Sequence, residues 1–255
     1  MVLTEAQILA WLGHFLWPFL RITGLFLTEP LYGSSSIPAP VKAVIAAAYA
    51  AALAAWLPDL PPFPSDPISA VFAGLIQIAY GSAIGLVMQI IVSIVASAGE
   101  LTSLSIGLGF ADLAFPGSNE STPVVYNLMF WAGLMAYIAA GGPIFVFAAI
   151  AHSFQAGIGT GGLTAWTQLT LLGETAITSA VWLAMPVLAV TFTINLTVGL
   201  TTVFAPQMNL LTIGFPLLII VGLWMFTGSI VFLDQDFHHL MDRAMQSVAA
   251  MMPHG

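Results

Sequence analysis

Cysteine is absent from this chain of 255 residues, so neither a disulfide framework nor a cysteine-ligated metal site can form. Charge is scarce as well: charged residues make up 5% of the sequence, with three lysines and arginines against eleven acidic residues. A soluble domain carries about 25% charged residues, so this chain has too little charge to cover a water-exposed surface. Nucleic-acid binding is excluded in practice, because contacts to phosphates require clustered cations.

Apolar residues make up 59% of the sequence, and the mean hydropathy of the chain is +1.01. Hydrophobic segments are predicted at 8–27, 41–57, 68–97, 124–150, 175–203 and 210–233, separated by connectors rich in proline and glycine. We therefore predict an all-α, membrane-associated fold of about six long hydrophobic helices, broken by proline and glycine.

The segment lengths do not suit a simple bundle. The third segment would be about 45 Å long as a helix, whereas the hydrocarbon core of a bilayer is about 30 Å thick. The positive-inside rule does not decide the orientation, because Lys42 and Arg243 fall on opposite sides of a six-span arrangement. Either the helices tilt or protein surrounds them.

Small and polar residues recur every fourth position on two segments. The third segment carries Gln77, Gly81, Gly85 and Gln89, and the fifth carries a threonine row with Asn195 beside it. Such rows allow close backbone approach and hydrogen bonds between helices. One interpretation is a subunit packed among other helices. The other is ordinary packing inside a monomeric bundle.

Arg21 lies well inside the first segment. A guanidinium at that depth needs a carboxylate or carbonyl partner, unless it reaches an interface by extending its side chain. Glu100 and a group on another subunit are the candidate partners.

No motif indicates catalysis or a cofactor. Gly107 and Gly109 form a G-x-G, but Asp112 stands where the dinucleotide pattern needs glycine. No nucleophile motif and no closed set of metal ligands is present. We predict no enzyme activity, no cofactor and no metal.

Three motifs resemble the FliR family of type III export-gate components, called SctT in injectisomes. They are "WPFLRITGLFLTEPLYGSSSIPAPVK" at 17–42, "AGELTSLSIGLGFA" at 98–111 and "APQMNLLTIGFPLLIIVGL" at 205–223. Structural or partner-contact roles are predicted for residues of these motifs and of the polar rows, namely Arg21, Pro38, Lys42, Gln77, Gly81, Gly85, Gln89, Glu100, Asn195, Pro206, Gln207, Gly214, Phe215 and Pro216.

The resemblance implies a subunit of a helical assembly in the bacterial inner membrane, at the flagellar basal body. FliP-like and FliQ-like subunits and an FlhB-like protein would be its partners, and unfolded export substrates would enter the channel of the assembly. Residues 1–255 would form a single export-gate domain, with a FliP-like part followed by a FliQ-like part. Whether the system is flagellar or an injectisome stays open at this point.

The resemblance also implies that residues 106–120, here called the plug segment, lie in the closed channel. Residues 98–112 contain too much glycine to be expected as one stable helix. The predicted plug residues are Ile106, Gly107, Gly109, Phe110, Asp112, Phe115 and Pro116. The family often has Asp-Pro where this chain has Phe115 and Pro116, so the expected block is steric rather than a carboxylate latch.

The alternative function is that of a small secondary transporter with broken helices. Pro186 and Pro216 within helices and the break at Gly141–Gly142–Pro143 favour it, but no inverted repeat is visible. A purely structural membrane scaffold is a third class. A transporter should purify alone, whereas a gate subunit should need its partners.

Overall fold

The computed structural model describes residues 4–34, 36–57, 60–108, 124–155, 162–204 and 214–251. Seven helices run through these ranges, in which no strand occurs. They are α1 Glu5–Thr28, α2 Ala39–Trp56, α3 Pro67–Ile106, α4 Val124–Ala139, α5 Gly142–Gln155, α6 Gly162–Phe204 and α7 Phe215–Met251.

The helix ends follow local chemistry. Asp66 precedes α3 and its Oδ2 accepts the backbone N–H of Ser69 at 2.9 Å, which satisfies one free donor of the first turn. The same bond lowers the pKa of Asp66. α1 ends before Glu29, whose backbone is extended. Pro30 follows, and a proline disfavours the α conformation in the residue before it. Prolines lie at the start of α2 as well, where a missing N–H costs nothing.

Several helix boundaries differ from those predicted. α6 begins at Gly162 rather than near residue 175, and α7 continues to Met251 rather than ending near residue 233. α3 continues through residues 98–106 instead of ending near Ser97, so that stretch is helical up to Ile106. The fourth segment is two helices, α4 and α5, which separate at Gly141 with φ +75°. α6 continues through Pro186 without a break, and Pro216 lies in the first turn of α7 rather than inside it.

The helices are long and apolar enough to cross a membrane. Among the described residues four helices meet that criterion, and five if α4 and α5 form one bent span. Within the apolar window of each span, 56% of residues are buried in α3 but only 17% in α2 and 22% in α6. The exposed faces of α2 and α6 must therefore meet lipid or another protein.

The described residues divide into two compact units. The first takes residues from Met1–Ile90, Ile138–Gly173 and Met241–Gly255, and the second takes residues from Ile91–Tyr137 and Glu174–Leu240. α3, α6 and α7 each contribute to both units. The expected single export-gate domain of residues 1–255 stays a prediction.

In the first unit, α1 and α3 pack in parallel through glycine. A Cβ on Gly24 would overlap the carbonyl of Ile78, and one on Gly81 would overlap the carbonyl of Arg21. Where the backbones come this close, side chains also bond to backbone: Thr28 Oγ1 donates to the Ser82 carbonyl at 2.8 Å. This contact, the α1–α3 seam, is a small-residue interface of the kind common in membrane proteins.

The proline-rich connector ahead of α3 packs on α1. Trp17 Nε1 donates to the Pro61 carbonyl at 2.8 Å, and the Phe63 N–H donates to the Leu9 carbonyl at 2.9 Å. Gly13 lies beneath this connector, with no room for a Cβ.

Replacing Gly81 by alanine should destabilise the seam, because the added methyl meets backbone that cannot rotate away. We expect a loss of about 1–3 kcal/mol, the usual cost of overpacking. Gly199→Ala is the matched control, since nothing lies within 4 Å of its Cβ position; it should be neutral or stabilising by up to about 1 kcal/mol. The measurement is thermal unfolding, in mild detergent, of the chain co-expressed and purified with its partner subunits. Equal melting of Gly81→Ala and wild type would refute the close approach.

Candidate functional site

A buried arginine joins three helices of the first unit. Arg21 of α1 is 1% exposed, and its Nε donates to Gln77 Oε1 of α3 at 2.8 Å. Its Nη1 donates to Ser153 Oγ of α5 at 2.5 Å. Ser153 Oγ gives its own hydrogen to the Ile150 carbonyl at 2.6 Å, so its lone pairs are left to accept from Arg21.

Two aromatic rings complete the surroundings of Arg21. The guanidinium carbon lies 3.9 Å from the ring centroid of Phe154 and 4.7 Å from that of Tyr80. Desolvated cation–π contacts of this kind stabilise a guanidinium by about 2 kcal/mol. The Tyr80 hydroxyl donates to the carbonyl of Met251, at the end of α7, at 3.0 Å. The arginine cluster thus comprises Arg21, Gln77, Tyr80, Ser153 and Phe154.

Glu100, one of the two candidate partners of Arg21, does not pair with it. Glu100 is exposed and lies on α3 far beyond Gln77, about 35 Å further along the helix at 1.5 Å per residue. Arg21 is buried rather than extended to an interface, and within the described residues it forms no ion pair. Neutral acceptors and ring faces hold its charge instead.

The small-residue row on α3 meets α1 of the same chain. The side chain of Gln77 faces that of Arg21, and Gly81 faces the Arg21 carbonyl. One turn further on, Gly85 faces Thr28. Gln77 is fully buried, so its carbonyl oxygen does not need a group from another subunit. Its Nε2 has no hydrogen-bond partner among the described residues. Gln89, further along α3, is half-buried.

The threonine row on α6 is satisfied inside its own helix. Thr193, Thr197 and Thr201 each donate their hydroxyl to the carbonyl four residues earlier, at 2.7–2.8 Å. These side chains are exposed. Because each hydroxyl already donates to its own helix, the threonines present mainly their methyl groups to a neighbour. Such a row suits an apolar neighbour better than an aqueous path.

The second unit contains a tight hairpin of α3 and α4. A Cβ on Gly99 would lie 2.6 Å from Met129 Cγ, and one on Gly133 would lie 3.2 Å from Val95 Cβ. The pairs run in opposite directions along the two helices, so α3 and α4 are antiparallel. These pairs hold α3 and α4 together on either side of the connection between them, residues 107–123.

α3 ends in a Schellman motif at the start of the plug segment. Gly107 has φ +89°, its N–H donates to the Leu104 carbonyl at 3.2 Å, and the Leu108 N–H donates to the Ser103 carbonyl at 3.1 Å. The preceding Ile106 is fully buried and packs on Gly222 of α7. Of the predicted plug residues, the structure describes these first two. Gly109, Phe110, Asp112, Phe115 and Pro116 lie outside the described residues.

The remaining predicted contact residues are dispersed. Pro38 is exposed ahead of α2, and Lys42 is half-buried in the first turn of α2. Asn195 is exposed on α6, and Gly214 is buried just before α7. Pro216 is exposed, whereas the structure describes only the backbone of Phe215. Pro206 and Gln207 lie outside the described residues.

Sequence reasoning missed most of the arginine cluster. Ser153 stands 132 residues from Arg21 and Gln77 stands 56 residues away, and no local pattern links such positions. Gly24, Gly99 and Gly133, which allow the close helix contacts, were also missed. Isolated glycines inside apolar segments are the one signal that could have marked them.

The helices define a class: this is a membrane protein of several apolar spans, with internal glycine seams and wide apolar faces left exposed. The chain matches the family described as "Bacterial export proteins, family 1" over residues 12–244. It is 30% identical to the flagellar biosynthetic protein FliR of Escherichia coli (strain K12), over 96% of this chain and 95% of that protein.

Two other relatives give the same result. The FliR protein of Aquifex aeolicus (strain VF5) is 25% identical, over 90% of this chain and 92% of that protein. The FliR protein of Bacillus subtilis (strain 168) is 24% identical, over 82% of this chain and 82% of that protein. The chain belongs to the FliR family of bacterial export proteins. It is a component of the flagellar export apparatus in the bacterial inner membrane.

Replacing Arg21 by leucine should destabilise the chain, because it removes a donor from Gln77 and Ser153 and leaves them buried. Each orphaned polar group costs about 1–3 kcal/mol. The double variant Arg21→Leu/Gln77→Leu should lose less than the sum of its single variants, with a coupling of about 0.5–3 kcal/mol. Thermal unfolding in detergent is measured for the wild type, the two single variants and the double variant, and together these give the coupling.

Arg243→Gln is the control, because Arg243 is exposed and its loss should change stability by less than about 0.5 kcal/mol. If Arg21→Leu behaved like Arg243→Gln, or if the two cluster substitutions were additive, the arginine cluster would not hold α1, α3 and α5 together.

Proposed function

We propose that this chain is a subunit of the type III export gate and lines the entrance channel through which unfolded flagellar proteins are exported. FliP-like and FliQ-like subunits pack against its apolar faces, and an FlhB-like protein contacts the assembly. Membership of the FliR family supports this role, as do the three motifs that resemble it. The role is mechanical and requires no cofactor or catalytic residue.

The observation that carries the proposal is the hairpin of α3 and α4. Connections between packed antiparallel helices usually need about two to eight residues. The connection here, residues 107–123, is longer, although the helices it joins are in contact. Long connections at fixed ends are typically functional.

Both ends of the connection are fixed. Ile106 is buried against Gly222, Gly107 caps α3, and Val125 and Met129 are buried against Gly99. A segment anchored in this way can be displaced by a passing polypeptide and then return. Ile106 acts as an anchor in this arrangement, so the blocking part of the plug segment begins after Leu108.

The sequence of the connection suits a removable block. Phe110 and Phe115 have the bulk to fill a constriction, and Gly109 next to them lowers the conformational cost of moving. The connection also contains two carboxylates, Asp112 between the phenylalanines and Glu120 after them. In the proposed mechanism the block depends on the side-chain volume of Phe110 and Phe115.

The exposed helix faces support assembly with other helices. Trp182 and Trp224 are 68% and 73% exposed, and with Pro186 and Met225 they line a groove of about 540 Å³ between α6 and α7. Exposed apolar surface of this kind meets either lipid or a helix of another subunit. Together with the self-satisfied threonines of α6, it favours a helical neighbour.

Deleting residues 109–115 should leave assembly intact and raise the resting permeability of the membrane. The clamped helix ends remain, so the variant should still co-purify with FliP-like and FliQ-like subunits, whereas the bulk of Phe110 and Phe115 is lost. Efflux of a small dye from cells or vesicles that contain the complex measures the leak. Export should persist.

Gly99→Leu is the contrasting variant, because it forces α3 and α4 apart and should abolish assembly instead. If deletion of 109–115 also abolished assembly with unchanged permeability, the connection would be a structural joint and the plug proposal would fail.

A further inference from the structure

The side chain of Ile106 lies in a notch on α7 that exists because Gly222 has no side chain, here called the Gly222 notch. A Cβ on Gly222 would overlap Cγ1 of Ile106, and it would lie 2.9 Å from Cδ1 and 3.2 Å from Cγ2. Gly24 and Gly81 of the α1–α3 seam meet backbone, whereas the three atoms nearest to this Cβ all belong to the Ile106 side chain. Both residues are in the second unit.

The Gly222 notch also fixes the position of Ile106 along α7. Leu218 and Phe226 lie four residues before and after Gly222, so they share its face of the helix. Both are buried, and each adds a large side chain about 5.4 Å from the notch. Moving Ile106 by one turn in either direction would bring it against one of them.

Rotating the Ile106 side chain cannot relieve a clash at the notch. Ile106 is branched at Cβ, which restricts χ1, and both of its γ carbons contact the Gly222 position. A methyl group on Gly222 would therefore displace backbone at the end of α3. The N–H groups of Gly107 and Leu108 donate to carbonyls of that last turn, so the displacement would reach residue 109, where the proposed block begins.

We propose that Gly222 is a positioning residue for the plug segment. The Gly222 notch sets the resting position of the block through Ile106, and Ile106 stays in the notch while the block is displaced. This inference rests on the plug role proposed above, and it adds that α7 determines where the plug segment starts. Movement is then confined to the chain after Leu108.

Gly222→Ala tests the notch in the full chain, co-expressed with its partner subunits. We expect dye efflux per assembled complex to rise above wild type, toward the level of the 109–115 deletion. Gly199→Ala is the control, since nothing lies within 4 Å of its Cβ position, and it should leave efflux unchanged. Contact that served packing alone would lower the yield of complex without changing efflux per complex, and that result would overturn the proposal.

The second substitution in this series is Ile106→Ala, which removes the three carbons that contact the Gly222 position. Alone it empties the notch and should also raise efflux. Gly222→Ala/Ile106→Ala should leak less than either single variant, because the added methyl then fills space instead of displacing backbone. Residues in contact couple in this way. Additive leaks would contradict a size-matched contact.

A covalent lock tests whether Ile106 stays in the notch during export. The chain has no cysteine, so Ile106→Cys/Gly222→Cys can form a single intrachain disulfide under a mild oxidant. We expect the oxidised variant to export at the rate of its own reduced form. Export that stops on oxidation and resumes on reduction would show that Ile106 must leave the notch, and the proposal would fail.

The 109–115 deletion separates this inference from the plug role itself. If the deletion raises efflux and Gly222→Ala does not, the plug role stands and the Gly222 notch does not position the block. If neither variant raises efflux, the plug role fails and this inference fails with it.

Discussion

The structure depends on burying a single cation in apolar surroundings without an ion pair among the described residues. Arg21 achieves this through two neutral acceptors and two ring faces, and those groups come from two other helices, α3 and α5. Because a buried charge is tolerated only with all of its partners in place, the cluster fixes the depth of α1 against α3 and α5. The glycines of the α1–α3 seam bring the two backbones close enough for this geometry.

α3 applies the same principle twice. Its first half packs on α1 through Gly81 and Gly85, and its second half packs on α4 through Gly99. A helix of 40 residues exceeds what a bilayer crossing requires, so its length serves protein contacts. Its glycine-capped end and the start of α4 hold the two ends of the connection between these helices. This arrangement links the fold to the proposed gating role.

The sequence predicts the helical class well, because long apolar runs leave few alternatives. It predicts helix ends poorly where tertiary packing overrides composition. Residues 98–106 contain glycine and hydroxyl side chains that argue against a helix, yet Thr102 and Ser103 are buried in α3 and Ser105 bonds back to the Thr102 carbonyl. The depth of Arg21 was evident from the sequence, but its partners were not. They lie on other helices, and Glu100, the one acidic candidate chosen, is on the wrong part of α3.

In the proposed role, the connection between α3 and α4 lies in the path of exported protein. A photo-crosslinking amino acid at position 110, in an assembled complex that holds a stalled export substrate, tests this placement. We expect a crosslink from position 110 to the substrate, and none from the exposed position 128 on the outer face of α4. Crosslinks from position 110 only to lipid or to neighbouring subunits, with the substrate demonstrably stalled, would contradict it.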